Sequence, residues 1–175
     1  MSKINEIPDF QAMWAQTKSD LVHIAATEGL NFFQDTFDKQ GFTDVAFEPW
    51  KQKSVPDGYK ILLHTSFLKN SVQIFDKSDK RIVFGSDAEY AEIHNEGGTI
   101  QITNTPRAKR FFWFMYKATG QIHWKYMALS KKTHFAVKIP KRQFIGESKT
   151  LLNIIETKFK KHLTKEFKNI KIKKL

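Results

Sequence analysis

Apolar side chains recur at spacings of three and four after Asp9. Phe10, Met13, Trp14, Leu21, Ile24 and Ala25 follow this spacing, Thr17 and Glu28 keep its phase, and Phe32, Phe33 and Phe37 continue the stripe past Gly29. The period is helical, and Asp9 is a suitable N-cap. One long helix is expected within residues 1–40, with Gly29 as the place for a bend and an end before Gly41. Residues 41–58 carry two prolines and Gly58, and read as a linker. The period then changes to two. Val72 and Ile74 alternate with polar residues, as do Ile82 and Phe84, which predicts a hairpin with its turn in residues 76–80. "YKILLH" before it is a short strand candidate, and "TIQITNTP" after it a strand or arm.

Residues 106–120 start with proline, end with glycine and are apolar almost all round. They read as a helix buried on more than one side. "THFAVKIP" alternates Phe135, Val137 and Ile139 and stops at Pro140, as a final strand does. Leu151, Ile155, Phe159, Leu163 and Phe167 then recur every four residues, with Leu152 and Ile154 widening the stripe and Ser148 placed to cap it. That helix, over residues 150–168, would span roughly 30 Å. The pattern as a whole predicts an α+β fold in which a small, mostly antiparallel sheet packs against a long N-terminal helix and a C-terminal helix. A single domain over residues 1–175 is expected. Its parts are the N-terminal helix (1–40), the linker (41–58), the sheet with a helical insertion (59–147), and the C-terminal helix with a basic tail (148–175).

Composition narrows the chemistry. The 175 residues suffice for a core without covalent staples. The absence of cysteine excludes disulfides, thiolate zinc sites and cysteine nucleophiles. No stretch has the length of a signal peptide's apolar region or approaches the roughly 18 apolar residues of a spanning segment, so a soluble, cytoplasmically made protein without a membrane partner is expected. The net charge of +11 favours nucleic acid, anionic surfaces or acidic proteins as neighbours. Sixteen phenylalanines supply anchors for a core and for interfaces.

The stretch "EYAEIHNEGG", residues 89–98, gathers three glutamates around His94. On a helix, however, Tyr90, Ile93, His94 and Gly97 share one face and the glutamates lie mostly on the other. No second histidine stands three or four residues away, as a helical metal site would want. A packed or hydrogen-bonded histidine is the favoured reading over a metal ligand or proton carrier. Gly97 is a natural helix stop. The glycines form no phosphate-binding loop and no serine occupies a nucleophile elbow. No catalytic residue, metal or cofactor is therefore expected.

Residues 107–126 interleave Arg107, Lys109, Arg110, Lys117 and Lys125 with Phe111, Phe112, Trp113, Phe114, Tyr116, Trp124 and Tyr126. Such a mixture suits stacking on single-stranded nucleic acid. It also suits a core or subunit-interface helix with basic flanks, which is favoured because one helix cannot present four successive large apolar residues to a groove. Phe111, Phe112, Trp113, Phe114 and Tyr116 are the candidate interface residues. Near the C-terminus Lys158, Lys160, Lys161, Lys165, Lys168, Lys171, Lys173 and Lys174 face only Glu166. They form either a solvated helix face or an electrostatic contact with DNA or an acidic partner. Lys158, Lys161, Lys165, Lys168, Lys171, Lys173 and Lys174 are the candidates for that contact.

The order of short motifs adds a resemblance. "LHTSFLKNS" precedes a hairpin ending in "FGSD"; "YAEIHNEGG" follows, and about forty residues later comes "IPKRQFIG" before the final helix. This resembles the phage virion-morphogenesis family, the Mu-like tail-completion proteins of tailed phages and prophages. The matching positions are Leu63, Thr65 and Leu68; Tyr90, Ala91, His94 and Gly97; and Ile139, Pro140, Arg142, Phe144 and Gly146. They run from Leu63 to the last helix, with the aromatic stretch as an insertion between motifs. Ser66 departs from the pattern, since the family usually has glycine there, and this bears on a backbone turn. The resemblance implies a non-enzymatic structural protein at the neck or the head-proximal end of the tail, arranged as a ring. It would be assembled in the host cytoplasm and touch tail terminator, tail tube or head–tail connector proteins. A cytosolic nucleic-acid-binding protein is the rival reading, and a hydrolase using His94 a weaker third.

Overall fold

A computed structural model describes residues 9–53 and 58–169. Helix α1 (Phe10–Lys39) is one uninterrupted element. Asp9 caps it, its Oδ1 accepting from the backbone N–H groups of Gln11 and Ala12 at 3.0 Å. It ends where Gln40 takes the left-handed conformation, φ 60°. Thr17, Ala26, Gly29, Phe33, Thr36 and Phe37 form the buried face. Gly29 is needed for a close approach: a Cβ there would lie 2.3 Å from the tip of the Phe84 ring.

The stretch expected as a linker begins instead with a short antiparallel ladder, β1 (Gly41–Thr43) against β2 (Phe47–Pro49). Its residues 54–57 lie outside the described ones. The prolines do not prevent the ladder because Pro49 closes it, opposite Gly41. Trp50, just beyond, is buried and donates from Nε1 to the Gln143 carbonyl at 2.8 Å.

No strand forms in "YKILLH". The Gln40 side chain takes the place of a strand partner: its Oε1 accepts from the Ile61 N–H at 2.6 Å and its Nε2 donates to the Ile61 carbonyl at 3.1 Å. Leu62 then turns the chain with φ 59°. Ile61 is thereby buried without a ladder.

Helix α2 (Phe67–Asn70) leads into β3 (Val72–Lys77), which pairs with β4 (Ile82–Ser86) around a turn at residues 78–81. A register shift between Ile74 and Asp76 bulges this hairpin. Helix α3 (Ala91–Glu96) is followed by β5 (Gly98–Thr103), α4 (Pro106–Thr119), α5 (Ile122–Leu129) and β6 (His134–Ile139). Helix α5 was not expected: Gly120 interrupts the run and the residues after it show no clear stripe. Strands β5 and β6 pair antiparallel from Gly98↔Ile139 to Thr103↔His134.

The chain is α+β, but its strands make three separate two-stranded ladders rather than one sheet. Each strand is only three to six residues long. Helix α1 packs against both β1 and the β3–β4 hairpin, so two of the ladders meet the helix rather than each other.

Helix α6 (Lys149–Asn169) closes the fold against α1. The Ser148 hydroxyl accepts from the Leu151 N–H at 3.1 Å and donates to the Thr43 carbonyl at 2.7 Å, so the cap also anchors the helix to β1. Lys158 pairs with Glu28 of α1 at 3.0 Å. Leu151 is buried, and Ile155, Phe159 and Leu163 are partly buried along the α1-facing side. Leu152 and Phe167 are exposed and do not extend the stripe. A four-residue spacing drifts round a helix of 3.6 residues per turn, which carries Phe167 off the face.

The core gathers Phe33, Phe37, Phe42, Trp50, Ile61, Leu68, Val72, Ala88, Ala91, Phe144 and Leu151. Phe37 stands at its centre, 5.5 Å from Trp50 edge-on and 5.0 Å from Phe144. Fully burying each such ring stabilises the fold by about 1.5–3 kcal/mol. None of the cluster comes from residues 98–139.

Candidate functional site

Two motifs separated by some forty residues meet at the base of the β5–β6 ribbon. The His94 carbonyl accepts from the Arg142 N–H at 2.8 Å. Asn95 Oδ1 accepts from the N–H groups of both Phe144 and Ile145, at 2.9 and 3.0 Å. Gly97 permits the approach. Its φ is +74°, and an added Cβ would lie 2.6 Å from the Lys141 nitrogen and 3.2 Å from the Ile139 carbonyl. Backbone there has no room to give.

The Arg142 guanidinium, on a residue only 9% exposed, donates from Nε and Nη2 to the Lys51 carbonyl at 3.2 and 3.0 Å. With Trp50 bonding Gln143, the "IPKRQFIG" segment is held on one side by α3 and on the other by the chain after β2. Phe144 then inserts into the core. Pro140 ends β6, and Gly146 lies against the Gln143 side chain.

His94 is half-buried and edge-on to Tyr90, ring centroids 5.9 Å apart. Burial and then the Arg142 charge hold its imidazole below the usual histidine range. Its Nδ1 is buried without a hydrogen-bond partner among the described residues. Glu96 faces Lys141 at 3.7 Å, while Glu89 and Glu92 are exposed. Among the described residues no three His, Asp or Glu side chains are placed to hold a metal ion. Ala91 and Leu68 are core residues. Thr65 is exposed, its Oγ1 accepting from the Phe67 N–H at 3.4 Å. Ser66 takes the left-handed conformation, φ 56°, so the turn is made there with serine in place of glycine.

Of the motif residues, His94, Gly97, Ile139, Arg142 and Phe144 thus meet at a structural junction, Leu68 and Ala91 join the core, and Thr65 and Tyr90 are exposed. The sequence reading missed Asn95, Lys51 and Trp50, which complete the junction. Asn95 lay inside the quoted motif and was the legible signal; a backbone carbonyl such as that of Lys51 leaves none.

Above this junction the β5–β6 ribbon carries the α4–α5 hairpin. Thr105 caps α4, its Oγ1 accepting from the Ala108 N–H at 3.1 Å, and Gly120 at φ 68° ends it. Phe112 is buried in a small cluster of its own, stacked 6.0 Å from Trp124 and edge-on 6.0 Å from Phe135. Of the candidate interface residues, Phe112 is therefore interior. Trp113 and Tyr116 are edge-on to each other, 6.0 Å apart. Phe111 and Phe114 are exposed, Phe114 by 64%. Arg107, Arg110, Phe111, Phe114 and Lys117, all exposed, follow helical spacing down one face of α4. Helix α5 exposes Tyr126, which the sequence reading named among the aromatic residues but not among the interface candidates, and Ile122 and Leu129, which it did not name.

On α6, Lys158 is paired with Glu28, and Lys160 with Glu156 at 2.6 Å. Lys161, Lys165 and Lys168 share one face at helical spacing and make no ion pair among the described residues. Lys171, Lys173 and Lys174 lie outside the described residues. No helix among the described residues is long and apolar enough to cross a membrane.

A model of the phage virion morphogenesis family matches residues 33–164, which include every motif position named above. No curated protein and no solved structure matches the chain.

Proposed function

Because the chain belongs to the phage virion morphogenesis family, we propose that it is a structural protein of a tailed phage or prophage that completes the tail or connects head to tail at the neck. The family match over most of the chain is the observation that carries this reading. It acts by protein–protein contact, without catalysis or cofactor, as a ring of its own copies seated on tail terminator, tail tube or connector proteins. Two features support contact as its mode of action. The His94 imidazole is packed edge-on against Tyr90, and burial and then the Arg142 charge hold it below the usual histidine range, as suits a structural side chain. The α4–α5 hairpin turns aromatic side chains outward, as protein interfaces do.

Contact with DNA passing through the neck is a secondary part of the reading, supported by Lys161, Lys165 and Lys168, which make no ion pair among the described residues. Deleting the gene and imaging the lysate by electron microscopy tests the whole. The expected result is filled heads and tails that fail to join, or unfinished tails. Labelled protein should restore particles and localise at the head–tail boundary. Normal infectious particles in the deletion strain, with no copy of the protein in the virion, would overturn it.

A further inference from the structure

The charges of this chain are sorted along it. Residues 98–139, the ribbon and its helical hairpin, carry eight Lys and Arg side chains and no Asp or Glu. Residues 1–96 carry fifteen carboxylates against ten Lys and Arg side chains. None of the eight arm cations makes an ion pair among the described residues. The arm therefore combines unneutralised positive charge with the exposed apolar side chains Phe111, Phe114, Ile122, Tyr126 and Leu129. Two arms brought face to face would repel, so a symmetric arm-to-arm contact is disfavoured.

A complementary surface exists on the same chain. Phe67 and Tyr90 are 56% and 42% exposed, and their ring centroids are 6.3 Å apart. Asp87, Glu89 and Glu92 lie beside Tyr90 in sequence, exposed and without ion pairs among the described residues. This surface offers aromatic rings within a negative rim, and the arm offers aromatic rings within a positive one.

We infer that the α4–α5 arm of one copy docks on the Phe67–Tyr90 surface of the next copy. A surface that meets a different surface on its neighbour makes a heterologous contact, and such contacts close into rings when the rotation permits. The inference rests on the proposed self-assembly and names the two faces that meet. Charge complementarity sets the register and hastens encounter, while the aromatic side chains supply the buried area. Association should accordingly weaken as added salt shortens the screening length.

The chain has no cysteine among its 175 residues, so introduced ones report alone. Differently tagged Lys117→Cys and Glu89→Cys copies are mixed under mild oxidation and compared with each variant by itself. The expected result is a several-fold excess of the arm-to-seat disulfide over either same-site disulfide. A second pair of variants reverses charge: Arg107→Glu with Arg110→Glu on the arm, and Glu89→Lys with Glu92→Lys on the seat. Each, checked for folding by circular dichroism, should fail to associate alone, and the two mixed should associate again.

Equal yields from all cysteine pairings, or no cross-link at all, would overturn the inference. So would arm reversal that abolishes retention on duplex DNA while arm-to-seat cross-links stay absent, since the arm would then be a nucleic-acid surface. Oligomers by light scattering, or the protein located at the neck, would leave the structural-protein reading standing even so.

Discussion

Two residues with positive φ test the backbone in opposite directions. Gly97, at φ +74° and ψ 173°, occupies a region that side chains essentially do not enter, and Lys141 leaves no space for a Cβ. Gly97→Ala should lower stability by about 1–3 kcal/mol, read as a shift in the urea midpoint. Ser66 pays a penalty of the left-handed conformation that glycine avoids. Ser66→Gly should raise stability by about 0.5–1 kcal/mol, because relief of roughly 1–2 kcal/mol exceeds the added freedom of the unfolded chain. A destabilised Ser66→Gly protein would contradict that account of the turn. His94 offers a pH test. Its folded-state pKa is depressed by burial and by Arg142, so the unfolded chain takes up a proton near pH 6.5 that the folded chain resists. The stability this group contributes is whole above about pH 6.5 and is lost as pH falls through the depressed folded value. Thermal melts from about pH 8 to about pH 5 should fall more steeply for the wild type than for His94→Gln. Parallel curves would show that His94 does not titrate differently on folding.

At the scale of elements, the arm and the core are separate structures. The main cluster takes nothing from residues 98–139, and Phe112, Trp124 and Phe135 pack with one another. Thr103 and His134 already face each other across the ribbon. Replacing residues 104–133 with Asn-Gly would therefore close the strands with a two-residue turn they can accept. The shortened protein should keep a cooperative melt close to that of the full chain and lose self-association. Loss of the cooperative transition would mean that the arm supports the core after all. Helix α6 divides similarly. Its inward side meets α1, and its Lys161, Lys165 and Lys168 face solvent. Helix position alone did not separate these from Lys158 and Lys160; their partners Glu28 and Glu156 did.

For the whole molecule, the net charge of +11 predicts weak, sequence-independent attraction to duplex DNA. Each phosphate neutralised contributes about −0.9 to the log–log salt slope. Changing Lys161, Lys165 and Lys168 together to glutamine should flatten that slope by at most about 3 units if all three touch phosphate. Lys158→Gln should leave it unchanged, because Lys158 is engaged by Glu28. Filter binding across a salt series reads both. A strong preference for one sequence would favour the nucleic-acid-binding rival, since phosphate contacts position a protein without specifying a base.

The long helix after Asp9, the β3–β4 hairpin, the strand before Pro140 and the helix after Ser148 were all legible in the chain. Their signals are local: a period of two or 3.6, a cap, a stop. The order of short motifs also carried the family, whose model matches residues 33–164. What the chain alone did not disclose are the bonds that join distant segments. Gln40 clasps Ile61 across 21 positions, Asn95 holds Phe144 across 49, and Trp50 bonds Gln143 across 93. A side chain that satisfies a remote backbone group leaves no period to read, and its partner becomes known only when the fold brings the two together. The same holds for the arm. Its charge was countable in the sequence, but which aromatic side chains it hides and which it shows was decided by helix α5 and strand β6 packing on Phe112.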